Sequence, residues 1–177
     1  MKPVILRNAC LTLVVAAAVV CATHERARSG PADAKDAQAA SDAVAGSHHK
    51  LILPGQLEWK DGPPSLPPGC KMVVLEGDPS QDGFFAMRAR MPDGYSVPPH
   101  SHPGVERITV LSGTFHLGAG EKFDKSAAQA MPAGAYSSMQ AGMKHFGWAE
   151  GDTVIQIATN GPWGITYVNP ADDPRHK

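Results

Sequence analysis

The sequence predicts an all-β fold of short antiparallel strands. Glycine and proline are abundant, at 18 and 16 of 177 residues, and break the chain into many turns. The apolar runs between those turns are short. Over residues 84–91, Phe85, Met87, Ala89 and Met91 take one face and Arg88 and Arg90 the other, which is the period of a half-buried strand. No internal repeat is visible, and no helix longer than a turn or two is predicted.

Residues 1–22 read as a targeting segment. Lys2 and Arg7 give a positive start, residues 9–20 are apolar, and small residues lead to cleavage after Ala22. That apolar run is short for a membrane span. The mature chain is therefore expected in the periplasm or secreted. Cys21 opens a second reading, a lipid-modified cysteine, which Val20 just before it fits poorly. Removing residues 1–22 takes Lys2 and Arg7 from 16 basic residues, leaving 14 against 17 acidic, a formal charge of −3. It also takes Cys10 and Cys21, so Cys70 has no partner for a disulfide within the chain. The charge is close to balanced, with no basic stripe, which argues against nucleic acid as a partner.

Residues 23–49 are rich in Ala, Asp, Ser and Gly and poor in large apolar side chains. They cannot bury enough surface to offset chain entropy and are read as a disordered linker. A helix through 34–45 would be marginal in isolation. His48 and His49 are its solvated end. The folded domain is assigned to residues 50–170, with 171–177 a flexible tail.

Within the domain, residues 51–53 and 57–59 are expected as short strands around Pro54-Gly55. Residues 62–69 hold four prolines and form a loop. Strands follow at Lys71–Glu76 and 84–91. Residues 107–112 form another, with Glu106, Ile108 and Val110 facing inward, and a hairpin turn is expected at 111–114. Residues 114–117 return, carrying His116 as a half-exposed polar residue. Residues 118–129 are a polar excursion, and Pro132-Ala-Gly134 turns into a strand over Tyr136–Met139. In 145–148, His145 and Gly147 share the inner face. Phe146 and Trp148 take the other, packed against the second sheet or a second copy in a homodimer. Strands at 153–159 and 163–169 complete the domain.

The chemistry concentrates between Gly94 and Gly113. His100, His102 and Glu106 stand at even offsets, which an extended chain points to one side. Two imidazoles and a carboxylate converging there form a divalent-metal site. Pro98, Pro99 and Pro103 stiffen the segment that carries the histidines. No Ser/His/Asp or Cys/His nucleophile pairing competes with this reading.

The spacing Gly94-x5-His100-x-His102-x3-Glu106-x6-Gly113 resembles the first signature motif of the cupin superfamily at every defined position. Gly134-x5-Gln140-x-Gly142-x2-His145-x3-Ala149 is similar to the second motif. Gln140 replaces its proline and Ala149 its asparagine. The resemblance covers roughly residues 71–169. It implies a double-stranded antiparallel β-barrel of the jelly-roll kind, with His145 as fourth ligand beside His100, His102 and Glu106. Four ligands around an octahedral ion leave two positions for water, oxygen or a chelating substrate. The ion is one divalent transition metal, Fe, Mn, Zn, Ni or Cu, among which the sequence does not select. Gln156 is a candidate to orient one of the histidines.

The chain also resembles small exported cupins and, more distantly, the cupin part of ChrR-type anti-sigma factors, although no sigma-binding segment is visible. Fold does not choose an activity. One reading is a metal-dependent enzyme, a dioxygenase or isomerase acting on a small oxygen-rich ligand. The other is a metal-bearing binding, sensing or stress protein without turnover.

Overall fold

The computed structural model describes residues 49–177. The expected targeting segment, residues 1–22, and nearly all of the expected linker lie outside the described residues. The strands are β1 (Lys60–Asp61), β2 (Lys71–Glu76), β3 (Gly83–Met91), β4 (Ser96–Ser101), β5 (Glu106–Ala119), β6 (Gln129–Pro132), β7 (Tyr136–Met139), β8 (His145–Gly161) and β9 (Thr166–Tyr167). Every pairing among them is antiparallel.

Two long strands, β5 and β8, organise the rest, because each belongs to both layers. The C-terminal half of β8 lies between β3 and the start of β5, which pairs in turn with β7. This layer runs β1-β2-β3-β8-β5-β7. The N-terminal half of β8 lies between β4 and the end of β5, which pairs with β6. The second layer runs β9-β4-β8-β5-β6. The β5–β8 ribbon crosses from one layer to the other where its register shifts, at Val110–Thr114. The result is the curled antiparallel barrel that the sequence predicted.

The bend corrects the expected hairpin at 111–114. Gly113 has φ +73°, as a turn would need, but the chain continues along the same partner strand instead of reversing. Thr153, fully buried, staples the bend. Its hydroxyl lies 3.1 Å from the Thr114 carbonyl oxygen and 3.1 Å from that of Gly151. A Cβ on Gly113 would stand 2.5 Å from the Thr153 hydroxyl oxygen, so only glycine fits.

The core fills the space between the layers. Phe85, Met87, Ala89 and Met91 alternate inward from β3 as expected, meeting Ile108 and Val110 of β5 and Ile155 and Ile157 of β8. Phe146 is buried outside that core, beneath the 120–128 excursion, with its ring 5.0 Å from that of Phe123. His116 is half-buried: it meets the Glu150 carboxylate at 2.6 Å and stacks on Trp148 at 4.5 Å. The proline-rich loop at 62–69 is tied down by two tyrosine hydroxyls. Tyr95 donates to Pro67 O and Tyr167 to Ser65 O, both at 2.8 Å.

Three local expectations differ from the structure. Residues 51–53 and 57–59 are not strands. Gln56 bonds back to Leu53 through both its backbone and its side chain and closes a 3-10 turn at Pro54–Gln56. The strand expected over 163–169 shortens to β9, because the Trp163 N–H donates to Pro79 O and the Gly164 carbonyl is engaged by His102. Residues 171–177 carry more structure than a frayed end. Two 3-10 turns enclose Asp173, which accepts from the Arg175 guanidinium at 2.6 Å, and Arg175 also reaches Ile165 O at 3.3 Å. Among the described residues, no helix is long and apolar enough to cross a membrane.

Candidate metal centre

The four side chains singled out in the sequence meet at one point inside the barrel. His100, in β4, is paired directly with His145, the first residue of β8. His102 follows the end of β4, and Glu106 opens β5. The even-offset reading expects His100, His102 and Glu106 on one extended strand; the structure brings them together from two strands and the turn between them. His100 Nε2 lies 3.1 Å from His102 Nε2. The nearer oxygen of Glu106 lies 3.4 Å from His102 Nε2 and 3.2 Å from His145 Nε2. All four residues are 3–5% exposed.

Each imidazole is held from behind by a backbone carbonyl. His100 Nδ1 lies 2.7 Å from Pro98 O, His102 Nδ1 2.6 Å from Gly164 O and His145 Nδ1 2.9 Å from Met143 O. A carbonyl only accepts, so each Nδ1 carries a proton, and each ring in its neutral form presents an Nε2 lone pair. Three lone pairs and a carboxylate oxygen then face one another in a buried space. Such a group repels itself unless a cation sits among it. The donor set thus fits a divalent transition metal, and the three histidines offer nitrogens within 4.8 Å of one another.

The electrostatics agree. Burial pushes His100 down to about 3, reinforced by His145 and His102 and opposed by its bond to Pro98. Burial also holds His102 below its usual range, against the pull of Glu106. Burial alone would raise Glu106, but the contact with His145 and attraction to the imidazoles in their charged form outweigh it and hold the carboxyl below the ordinary range. At neutral pH, His100 and His102 are neutral and Glu106 is ionised, the states in which these groups bind metal.

The space beside these donors is a cavity of ≈ 50 Å³, walled by apolar side chains that include Ala89, Ile108, Phe115 and Ile157. Trp163 stacks on His102, with ring centroids 5.1 Å apart and planes at 19°. Of the inward neighbours expected in the sequence, Ile108 lines the cavity. Val110 is buried in the core, and Met87 lines a neighbouring groove. Gln156 does not orient a histidine. It faces out of the barrel and accepts from Arg88 Nε at 3.1 Å. Trp163, Tyr95 and Cys70 were missed as lining residues, since no local pattern marks them as inward. Burial pushes the Cys70 thiol up to about 11, so without a metal beside it the group is a neutral thiol and a poor nucleophile at neutral pH.

A family model described as the ChrR cupin-like domain matches residues 47–163. The chain belongs to this cupin family. Among curated proteins, it is similar to 2-aminoethanethiol dioxygenase of Homo sapiens, 33% identical over 79 residues. The match covers 44% of this cupin and 28% of that protein, so the chain spans less than a third of its relative's length. Among solved structures, it resembles a candidate acetylacetone dioxygenase from Methylibium petroleiphilum, with a TM-score of 0.56 and 19% identity. That likeness covers 72% of this chain and 86% of the other. It also resembles an RmlC-like cupin from Shewanella frigidimarina, with a TM-score of 0.50 and 15% identity over 63% of this chain and 90% of that one. At these identities, the structural likenesses establish the fold.

Proposed function

We propose that this cupin is an exported metal-dependent dioxygenase acting on a small ligand that binds through an oxygen or sulfur donor. The observation that carries the reading is the convergence of three carbonyl-anchored Nε2 lone pairs and the Glu106 carboxylate in a buried, apolar-walled space. His100, His102, His145 and Glu106 hold one divalent metal, whether Fe, Mn, Zn, Ni or Cu. Such an ion supplies Lewis acidity and, where redox-active, electrons for O2. The carbonyls of Pro98, Gly164 and Met143 fix the imidazole orientations. The apolar wall excludes bulk water, which strengthens attraction to a charged donor group. Similarity to the human 2-aminoethanethiol dioxygenase supports oxygen chemistry over isomerisation. Export rests on the character of residues 1–22.

A second reading, a metal-bearing protein without turnover, is favoured by the smallness of the ≈ 50 Å³ cavity. Oxygen uptake separates the two. Protein purified from its native compartment is analysed for metal, then loaded with Fe(II) and given 2-aminoethanethiol, catechols and 2-keto acids. The enzyme reading expects about one metal per chain and oxygen consumption with one of these classes, lost in His145→Ala. Metal without consumption across the panel favours the non-catalytic role.

A further inference from the structure

A groove of ≈ 750 Å³ opens beside the metal cavity. It is lined by Ile52 and Leu57 of the segment before β1, by Val74 of β2 and by Met87 of β3, among others. Its charged lining residues, Glu58, Lys60 and Asp61, are exposed. Two residues, Met72 and Trp163, line both the groove and the metal cavity.

The register of β2 on β3 explains why the two spaces adjoin. Met72 pairs with Ala89, and Val74 with Met87. Residues two apart on a strand share a face, so these four side chains form one apolar stripe. Val74 and Met87 floor the groove, Ala89 walls the metal cavity and Met72 stands between. The partition is therefore a methionine, whose side chain is unbranched and adaptable, and an indole. The Trp163 indole nitrogen is buried and, among the described residues, has no hydrogen-bond partner. It is a donor left for an oxygen that the protein does not supply.

We propose that the groove and the metal cavity are two halves of one site, and that the site takes an amphiphile. The ligand has a compact oxygen or sulfur donor head and an unbranched apolar body. The head reaches the metal centre past Met72 and Trp163, since ≈ 50 Å³ holds little more than such a group. The body lies along the Met72–Val74–Met87 stripe. This rests on the metal reading above and adds the ligand class to it.

The test uses the full chain loaded with Co(II) and straight-chain hydroxamic acids from aceto- to octanohydroxamate, followed by visible absorption and calorimetry. Full burial of each added methylene in an apolar groove raises affinity roughly fourfold. With about half of that gain realised for each of the six added methylenes, affinity should rise on the order of a hundredfold across the series. In Val74→Arg, which puts a charge on the groove floor, the ratio of octano- to acetohydroxamate affinity should fall at least tenfold. If acetohydroxamate perturbs the Co(II) spectrum but longer chains bind no tighter, the groove inference is overturned and the metal reading stands. Equal binding of octanohydroxamate with and without metal makes the groove a separate site and also overturns it. If no hydroxamate reaches the metal, the reading of an open centre fails and the two-part site goes with it.

Discussion

Glu106 Oε2 and His145 Nε2 lie 3.2 Å apart, although these residues stand at opposite ends of the same paired ribbon. His145 is registered opposite Ala119, the last residue of β5, and Glu106 is the first. On a flat sheet, the length of β5 would separate them by about 40 Å. Only the crossing of the ribbon from one layer to the other brings them together. The candidate metal centre is thus a product of the bend at Gly113.

Replacing Gly113 with alanine should damage both the fold and the site. The new side chain would need a left-handed backbone and would meet Thr153 Oγ1 at 2.5 Å and Asp152 O at 2.6 Å. A loss of about 2 kcal/mol or more in urea unfolding is expected, together with weaker metal binding. Gly151, on the other strand of the same bend, has φ +69° but nothing within 4 Å of its Cβ position. Gly151→Ala should therefore cost only about 1 kcal/mol. Equal losses in the two variants would remove the argument from crowding.

Glu106→Gln keeps the side chain's shape and removes its charge. With a carboxylate among the ligands, metal affinity should fall by more than the roughly 10–100-fold typical of losing an outer hydrogen-bonding partner. Competition titration against a coloured chelator reads this directly. Unchanged affinity would leave three histidines as the whole site.

How much of this was legible in the sequence follows from which interactions are local. The grouping of His100, His102 and Glu106 is legible because their spacing is short, although they converge across two strands and a turn rather than by the period of one strand. The inward face of β3 is legible because the period of a strand is two. Gly113 was read as a hairpin, because a glycine with positive φ marks a tight turn and a strand bend alike. The difference lies in whether the next residues pair with a distant strand, here β8. Gln156 suggests itself as a histidine partner by its alternation with Val154 and Ala158, but that face of β8 is opposite the buried face of Ile155 and Ile157. The actual partners are backbone carbonyls, which every residue has and no sequence distinguishes. Trp163 follows a proline and a glycine in an irregular segment, where no period predicts its direction.

Cys70 should resist alkylation in the folded protein. It is 2% exposed, and burial pushes its thiol up to about 11, so about one molecule in 10,000 carries thiolate at pH 7. Iodoacetamide followed by mass spectrometry should find no label at Cys70 over hours under native conditions and complete labelling in urea. Rapid native labelling would show that the barrel opens beside the metal cavity on that timescale.

The metal-free protein should lose stability as pH falls below neutrality. His100 titrates near its ordinary 6.5 when unfolded but at about 3 in the barrel, because burial disfavours its charged form. Between those values the unfolded chain binds a proton that the folded chain refuses. Stability then falls as pH is lowered, by up to about 1.4 kcal/mol per pH unit from His100 alone. His102 shifts in the same direction and adds to the slope. Glu106 acts further down. Its folded carboxyl is held below the usual range, so its contribution is present above about pH 4.5 and is lost as pH falls through the folded value. Thermal melts of chelator-treated protein between pH 7 and pH 5 should therefore show a falling Tm. His100→Gln, which removes the titrating group, should flatten part of that slope. Metal-loaded protein should begin higher and fall more steeply, because protons then compete with the ion for the same nitrogens. A metal-free Tm that is level from pH 7 to pH 5 would mean that these imidazoles are solvated and that the site is not the closed, carbonyl-anchored cluster seen here.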